Sequence, residues 1–197
     1  MTRFIGLTGG IGAGKSEALA AARRAGAATL STDRVVHDVL DREDVRSALA
    51  ERWGAEIAAG GEVDRERVAE IVFGNPEELA WLESQTHPRV GEAVLDWRRS
   101  LDPEVEVAVV EVPLLFEAAM ESAFDATVAV VAADELRERR LAARGQPGLS
   151  GREGRQLDQD EKAGRADYVV RNDGTLEELE RRVAEVVREV GAQEASA

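Results

Sequence analysis

Cysteine is absent from these 197 residues. Disulfides and thiolate metal sites are therefore excluded, and a reducing compartment fits. Aromatic residues make up only 4% of the chain while apolar residues make up 44%. The core must therefore be built mainly of Ala, Val, Leu and Ile. Lysine is nearly missing: Lys15 and Lys162 stand against 23 arginines. Under such a bias, a surviving lysine is more often one that arginine cannot replace. No apolar run approaches the roughly 20 residues that a membrane-spanning helix needs. The opening stretch "MTRFIGLTGG" lacks the apolar run and cleavage site of a signal peptide. A cytoplasmic location is the expectation. Positive charge is also scarce, giving a net charge of -14. That total argues against a nucleic-acid or membrane-surface partner, because such binders usually present a basic face.

What is present is an alternation. Short apolar strands are expected at Arg3 to Thr8, Ala27 to Thr32, Glu106 to Val112, Asp125 to Ala132 and Asp167 to Arg171. The near-continuous valine runs of the third and fourth read as strands buried on both faces. Helical patterns lie between them, ending in Thr175 to Val190 with Leu176, Leu179, Val183, Val186 and Val187 on one side. Strand–helix alternation predicts an α/β fold, a parallel sheet covered on both faces. In such sheets ligands bind beyond the carboxyl ends of the strands. Residues from about 34 to 100 carry much helix and little strand, and read as a helical lobe inserted into the sheet domain. That lobe is expected to break near Asp41 and again around His87-Pro88, since residues before proline avoid helical geometry. The glycine-rich stretch "GQPGLSGREG" reads as a connection, and the tail 191–197 as frayed.

One segment carries chemistry by itself. Gly9 to Ser16, "GGIGAGKS", satisfies G-x-x-x-x-G-K-[ST] between a predicted strand and a predicted helix. Such a match should arise by chance in about one sequence in a thousand of this composition. Glycines let backbone N–H groups approach phosphate oxygens without a Cβ in the way. The helix that follows adds unsatisfied N–H groups and the positive end of its dipole. Gly9, Gly10, Ile11, Gly12, Ala13, Gly14, Lys15, Ser16 and Glu17 are thus the expected ATP cradle. Lys15 would reach the β- and γ-phosphates, and Ser16 would ligate Mg²⁺. The N-K-x-D signature usual in GTPases is absent. A small P-loop protein with an inserted helical lobe and an arginine-rich lid points to a small-molecule kinase.

The order of further motifs resembles the dephospho-CoA kinase family. "GLTGGIGAGKS" is followed by "STDRVVHDVL" with Asp33 and His37, then "GAEIAAGGEVDR", "IVFGN", "LESQTHP", "VPLLFE", Gln159 with Lys162, and "ADYVVRNDG". The resemblance covers about Arg3 to Val190. It implies a single three-layer α/β/α P-loop kinase domain over 1–197, with an acceptor lobe at about 34–100 and a lid at about 140–163. It implies transfer of the ATP γ-phosphate to the ribose 3′-hydroxyl of dephospho-CoA, giving coenzyme A, in a monomer or weak homo-oligomer. The alternatives are another small-molecule or nucleoside monophosphate kinase on the same scaffold, or a non-catalytic ATP-binding regulator.

The resemblance also distributes roles. Asp33, just past the second strand, becomes the candidate base; by position alone it serves equally as a helix cap. Arg140 and Arg144, four apart on one helix face, become phosphate clamps; the bland alternative is a solvated face, and Arg137, Arg139 and Arg140 cannot all be functional. Gln159 and Lys162 fall near the phosphates, although a surface role suits them equally without the resemblance. Asn172 and Gly174 are expected to border the adenine, mainly through backbone, against the alternative of a plain turn with Asp173 or Thr175 as helix cap. His87, Leu115 and Glu117 are assigned to the acceptor side. Three departures stand out: Ser31 where the family often has a first Asp, Glu17 where Ser or Thr is usual, and Glu111 in place of an Asp near Mg²⁺.

Overall fold

A computed structural model describes residues 1–143, 145 and 156–193. The chain divides into two compact units: residues 1–31 with 101 onward, and Thr32–Ser100.

The first unit is a five-stranded parallel sheet. Its strands are β1 (Arg3–Gly9), β2 (Ala28–Ser31), β3 (Val107–Glu111), β4 (Ala126–Val131) and β5 (Tyr168–Arg171), ordered β2-β3-β1-β4-β5. β3 and β4, "VAVVE" and "ATVAVV", are buried at every position. Alternation of side chains then sends each strand into two cores. Ile5, Leu7, Val107, Val109, Val128, Val130 and Val170 meet one side, covered by helices α1 (Lys15–Arg24) and α8 (Leu176–Ala192). The buried residues of α1 in that core are all alanines, Ala18, Ala21 and Ala22, with Leu19 partly buried against it. α8 supplies Leu179, Val183, Val187 and Val190. Burying one such side chain contributes about 1.5–3 kcal/mol. The remaining helices described in this unit are α6 (Asp134–Ala143) and α7 (Gln159–Arg165), and α7 packs on β1 and β4. Register pairs Leu7 and Ser31 with Glu111, Gly9 with Val130, and Val131 with Arg171. The carboxyl ends of the strands therefore form one edge, from which the loop after β1 departs.

The second unit is helical: α2 (Thr32–Leu40), α3 (Glu43–Trp53), a 3-10 turn at Ala55–Ala58, α4 (Arg65–Val72) and α5 (Pro76–Ser100). Val35, Val39, Leu40, Val45, Leu49, Ile57, Val63 and Val68 are its buried apolar residues. Trp53 and Trp81 meet edge to face, 5.1 Å apart. Glu78 accepts hydrogen bonds from Arg52 (2.7 and 2.9 Å) and from the Trp53 indole (2.7 Å), which hold its carboxyl below the usual range. The break near Asp41 is present between α2 and α3. The break expected at His87-Pro88 is not: α5 runs through Pro88 for 25 residues. Proline lacks the N–H for the carbonyl one turn back. The carbonyl so deprived is that of Ser84, and bonds from Thr86 Oγ1 to Leu82 O (2.9 Å) and from the Arg89 guanidinium to Gln85 O (2.7 Å) flank it.

Asp41 ties the α2–α3 turn to the start of α4. Its carboxylate accepts from the Val63 backbone N–H (3.1 Å) and from Arg65 (2.7 Å). The Val63 bond first, then the Arg65 guanidinium, hold its pKa below the ordinary value. A depressed carboxyl stabilises the fold above its unfolded pKa of about 4, and that contribution disappears as pH falls through the lower folded value. Asp41→Asn is expected to lose about 1 kcal/mol at pH 7. The gap from wild type should close towards pH 3, measured by urea unfolding at each pH. A gap independent of pH would contradict the assignment.

Candidate functional site

β1 ends at Gly9 and α1 begins at Lys15, so five residues make the turn at the sheet's carboxyl edge. Gly12 (φ 75°) and Gly14 (φ 99°) lie in the left-handed region that only glycine enters freely. At Gly14 space forbids a side chain as well: a Cβ would lie 2.2 Å from Asn172 Nδ2. Gly14 also brings no side chain to cap α1. The helix start is thus left to an external acceptor, the arrangement that favours an anion.

The loop's carbonyls are held from one side. Lys15 Nζ donates to Gly9 O (3.1 Å) and Gly10 O (3.2 Å). Arg137 Nε donates to Ile11 O (2.8 Å). Arg140 Nη1 donates to Gly12 O (3.4 Å) and Ala13 O (3.2 Å), and its Nη2 to Asn172 O (2.9 Å). Asn172 Nδ2 adds a bond to Ala13 O (2.8 Å). A trans peptide presents its N–H opposite its carbonyl. Fixing the Ile11, Gly12 and Ala13 carbonyls towards α6 and the loop after β5 turns the N–H groups of those peptides, which belong to Gly12, Ala13 and Gly14, to the other side. One of them, that of Ala13, closes a turn on Gly10 O (3.2 Å).

These contacts place the residues singled out from sequence. Arg140 lies beside the loop and holds its backbone. Arg144 and residues 146–155 of the lid at 140–163 lie outside the described residues. The Asn172 N–H is bonded to Val131 O (2.8 Å), which leaves only the carbonyl of its backbone for a base, and that carbonyl already accepts from Arg140. Its buried amide braces the loop. Of the alternatives at this turn, Thr175 is the α8 cap, in a reciprocal capping box with Glu178. The Asp173 carboxylate accepts from Ala133 N–H (2.7 Å).

Leu115 is fully buried beneath Gly6, where a Cβ would meet it at 2.5 Å. Its side chain therefore belongs to the core and not to a substrate wall. Glu117 Oε1 is the counter-ion of Lys162 (3.0 Å) and accepts the Leu157 N–H (2.8 Å), while its Oε2 is buried with no hydrogen-bond partner among the described residues. Lys162 does not lie on the surface. It is wholly enclosed and donates to Pro113 O (2.6 Å), which also accepts from Thr8 Oγ1 (3.1 Å). Gln159 bonds Ala132 N–H (3.1 Å) and Asp134 (3.3 Å). In the helical unit, Asp33 is exposed in the first turn of α2 and His87 is exposed on α5. Among the described residues nothing hydrogen-bonds the Asp33 carboxylate, so it is not spent as a cap. Ser16 and Glu17 are exposed at the start of α1. Arg137 is the contact that sequence reading missed. On a charged helix face it is indistinguishable from its neighbours, and only burial sets it apart.

Comparison with known proteins agrees with this geometry. The family model for dephospho-CoA kinase matches residues 3–178. A dephospho-CoA kinase of Thermus thermophilus is 38% identical over 192 residues, spanning 95% of this chain and 91% of that protein. The crystal structure of TT1252 from Thermus thermophilus superposes with a TM-score of 0.82 at 36% identity, covering 95% of this chain and 97% of that one. A shikimate kinase from Bacteroides thetaiotaomicron shares the fold, with a TM-score of 0.53 at 16% identity over 95% of this chain and 98% of that one.

Proposed function

The chain belongs to the dephospho-CoA kinase family, and from that premise we propose how its residues divide the transfer of the ATP γ-phosphoryl group to the ribose 3′-hydroxyl of dephospho-CoA. The observation that carries the proposal is the loop after β1, whose carbonyls from Gly9 to Ala13 are all held by Lys15, Arg137, Arg140 and Asn172. N–H groups fixed in this way need no reorganisation when charge develops on the phosphoryl oxygens. The uncapped start of α1 adds its dipole. Lys15 exchanges its loop carbonyls for the β- and γ-phosphates. Arg140 acts through the loop, by keeping Gly12 and Ala13 in place. Asp33 accepts the proton of the 3′-hydroxyl as its oxygen attacks the γ-phosphorus and ADP departs. General bases of this kind contribute typically 10²–10⁴-fold.

The residues present fit Mg²⁺. Ser16 offers an exposed hydroxyl at the helix start, and no cluster of three or more His, Asp or Glu side chains among the described residues could hold a metal alone. A hard ion shared between one or two protein oxygens, phosphate oxygens and water is what magnesium prefers. When bound, the ion would supply charge neutralisation at the phosphates, with Ser16 as its protein ligand. No helix among the described residues is long and apolar enough to cross a membrane. We place the reaction in the cytoplasm.

A coupled assay of ADP release over a panel of acceptors tests the reading. ADP production should depend on dephospho-CoA and be negligible with nucleoside monophosphates. Turnover with a nucleoside monophosphate and none with dephospho-CoA would make this a different kinase. ATP binding with no acceptor-dependent ADP would make it a regulator.

A further inference from the structure

One of the side chains that hold the phosphate loop is a buried charge. Arg137 is 5% exposed, although it sits in a helix otherwise crowded with solvated charges, "DELRERRLAA". Taking a guanidinium out of water costs several kcal/mol unless its donors are satisfied. Here they meet the loop. Nε donates to Ile11 O (2.8 Å) and Nη1 to Asp134 Oδ1 (2.8 Å). Asp134 in turn accepts from Gln159 Nε2 (3.3 Å), the first residue of α7. Gln159 is itself held by the Ala132 N–H (3.1 Å) at the end of β4.

The glycines of the loop rest directly on this group. A Cβ at Gly10 would lie 3.2 Å from Gln159 Cβ and 3.3 Å from Arg137 Cζ. At Gly12 it would lie 3.0 Å from the Arg137 carbonyl oxygen and 3.2 Å from its Cα. Two of the motif's glycines thus answer to Arg137 and Gln159 as well as to a ligand. Ile11, between them, is the loop peptide whose carbonyl is bonded to Arg137.

We propose that Arg137 is a positioning residue for ATP: held by Asp134, and through it by Gln159, it sets the Ile11–Gly12 peptide with the Gly12 N–H turned towards the phosphates. The inference rests on the loop being an ATP cradle but does not depend on which acceptor is used. Arg137 touches no reacting atom. It acts through the backbone, so its loss should weaken nucleotide binding and leave the acceptor side alone.

The test measures ATP binding by titration calorimetry with magnesium present, alongside KM for each substrate and the melting temperature. Arg137→Met keeps the length and apolar stem of the side chain but removes its donors. It should weaken the Kd for ATP about tenfold, the effect of one charge-assisted hydrogen bond. KM for ATP should rise in parallel while KM for dephospho-CoA stays put. Arg137→Lys, with a donor and a charge, should recover part of the affinity. Unchanged ATP affinity with a lowered melting temperature would reduce Arg137 to a packing residue and overturn the proposal. Equal rises in both KM values would do the same. If Arg137→Met does not fold, Asp134→Ala decides. Asp134 is 71% exposed, so its loss leaves no cavity. It should weaken ATP binding about threefold, and no change would sink the relay. Calorimetry needs no acceptor, so wild-type protein that binds ATP but ignores dephospho-CoA would refute the proposed function and leave this inference standing.

Discussion

Asp33→Asn will lower turnover with dephospho-CoA by about 10²-fold or more and leave ATP affinity where it was. The carboxamide matches the carboxylate in size and can still accept a hydrogen bond, but it cannot take a proton at neutral pH. Asp33 is exposed in the first turn of α2 and bonded to nothing else among the described residues. The substitution therefore removes no structural contact, and the melting temperature should stay within a degree or so of wild type. That separates chemistry from folding in one variant. Single-turnover measurements with saturating ATP should place the whole loss in the phosphoryl-transfer step. Turnover that hardly changes would mean another group accepts the proton. A large fall in ATP affinity would assign Asp33 to the nucleotide instead of the acceptor.

Lys15→Ala should do broader damage. The ammonium reaches two loop carbonyls, those of Gly9 and Gly10, at 3.1 and 3.2 Å. The variant loses that bracing together with the charge that meets the triphosphate. Each charged hydrogen bond is worth about 1.5–3 kcal/mol. Two such bonds to phosphate place the expected loss in kcat/KM for ATP near 10³-fold. Both the Kd for ATP and the rate of transfer should suffer, because the same group binds the ground state and the developing charge. Lys15→Arg is the sharper variant in a chain where arginine is the habitual cation. The guanidinium is planar, forked and bulkier than an ammonium. It cannot fold back over the two carbonyls of so tight a turn, so it should recover little of the activity. A fully active Lys15→Arg variant would show that charge alone is needed there, and would weaken the case for a geometric cradle.

Some of this molecule can be read directly from the chain. β3 and β4 fall where the apolar runs are, because a strand buried on both faces is apolar at nearly every position; β2 and β5 are only partly buried and show as shorter apolar segments. The phosphate loop is legible because its requirements are local. Positive φ at Gly12 and Gly14, a helix starting without a cap, and a lysine one residue inside that helix all follow from nine consecutive residues. The capping box of α8 is local too, since Thr175 and Glu178 are three residues apart. Pro88 shows where a local rule fails. Proline disfavours helix before it, yet α5 runs on through it to Ser100.

Burial of charge was not legible. Lys162 and Glu117 form an ion pair across 45 positions of sequence, and Lys162 donates to Pro113 from 49 residues away. Either would pass for a surface residue on its own helix or loop. The scarcity of lysine was the one hint, and it singled out both lysines that arginine would not replace: one in a tight turn, one wholly enclosed. Arg137 reaches Ile11 over 126 residues and sits between arginines and glutamates that stay in water.

By itself the sequence determined the sheet, the position of the phosphate loop and the class of chemistry, because each depends on the period or spacing of neighbouring residues. Tertiary structure alone decided which charges leave water and which carbonyls they hold. A side chain's solvation depends on atoms brought beside it from elsewhere in the chain, and no spacing along the sequence records that.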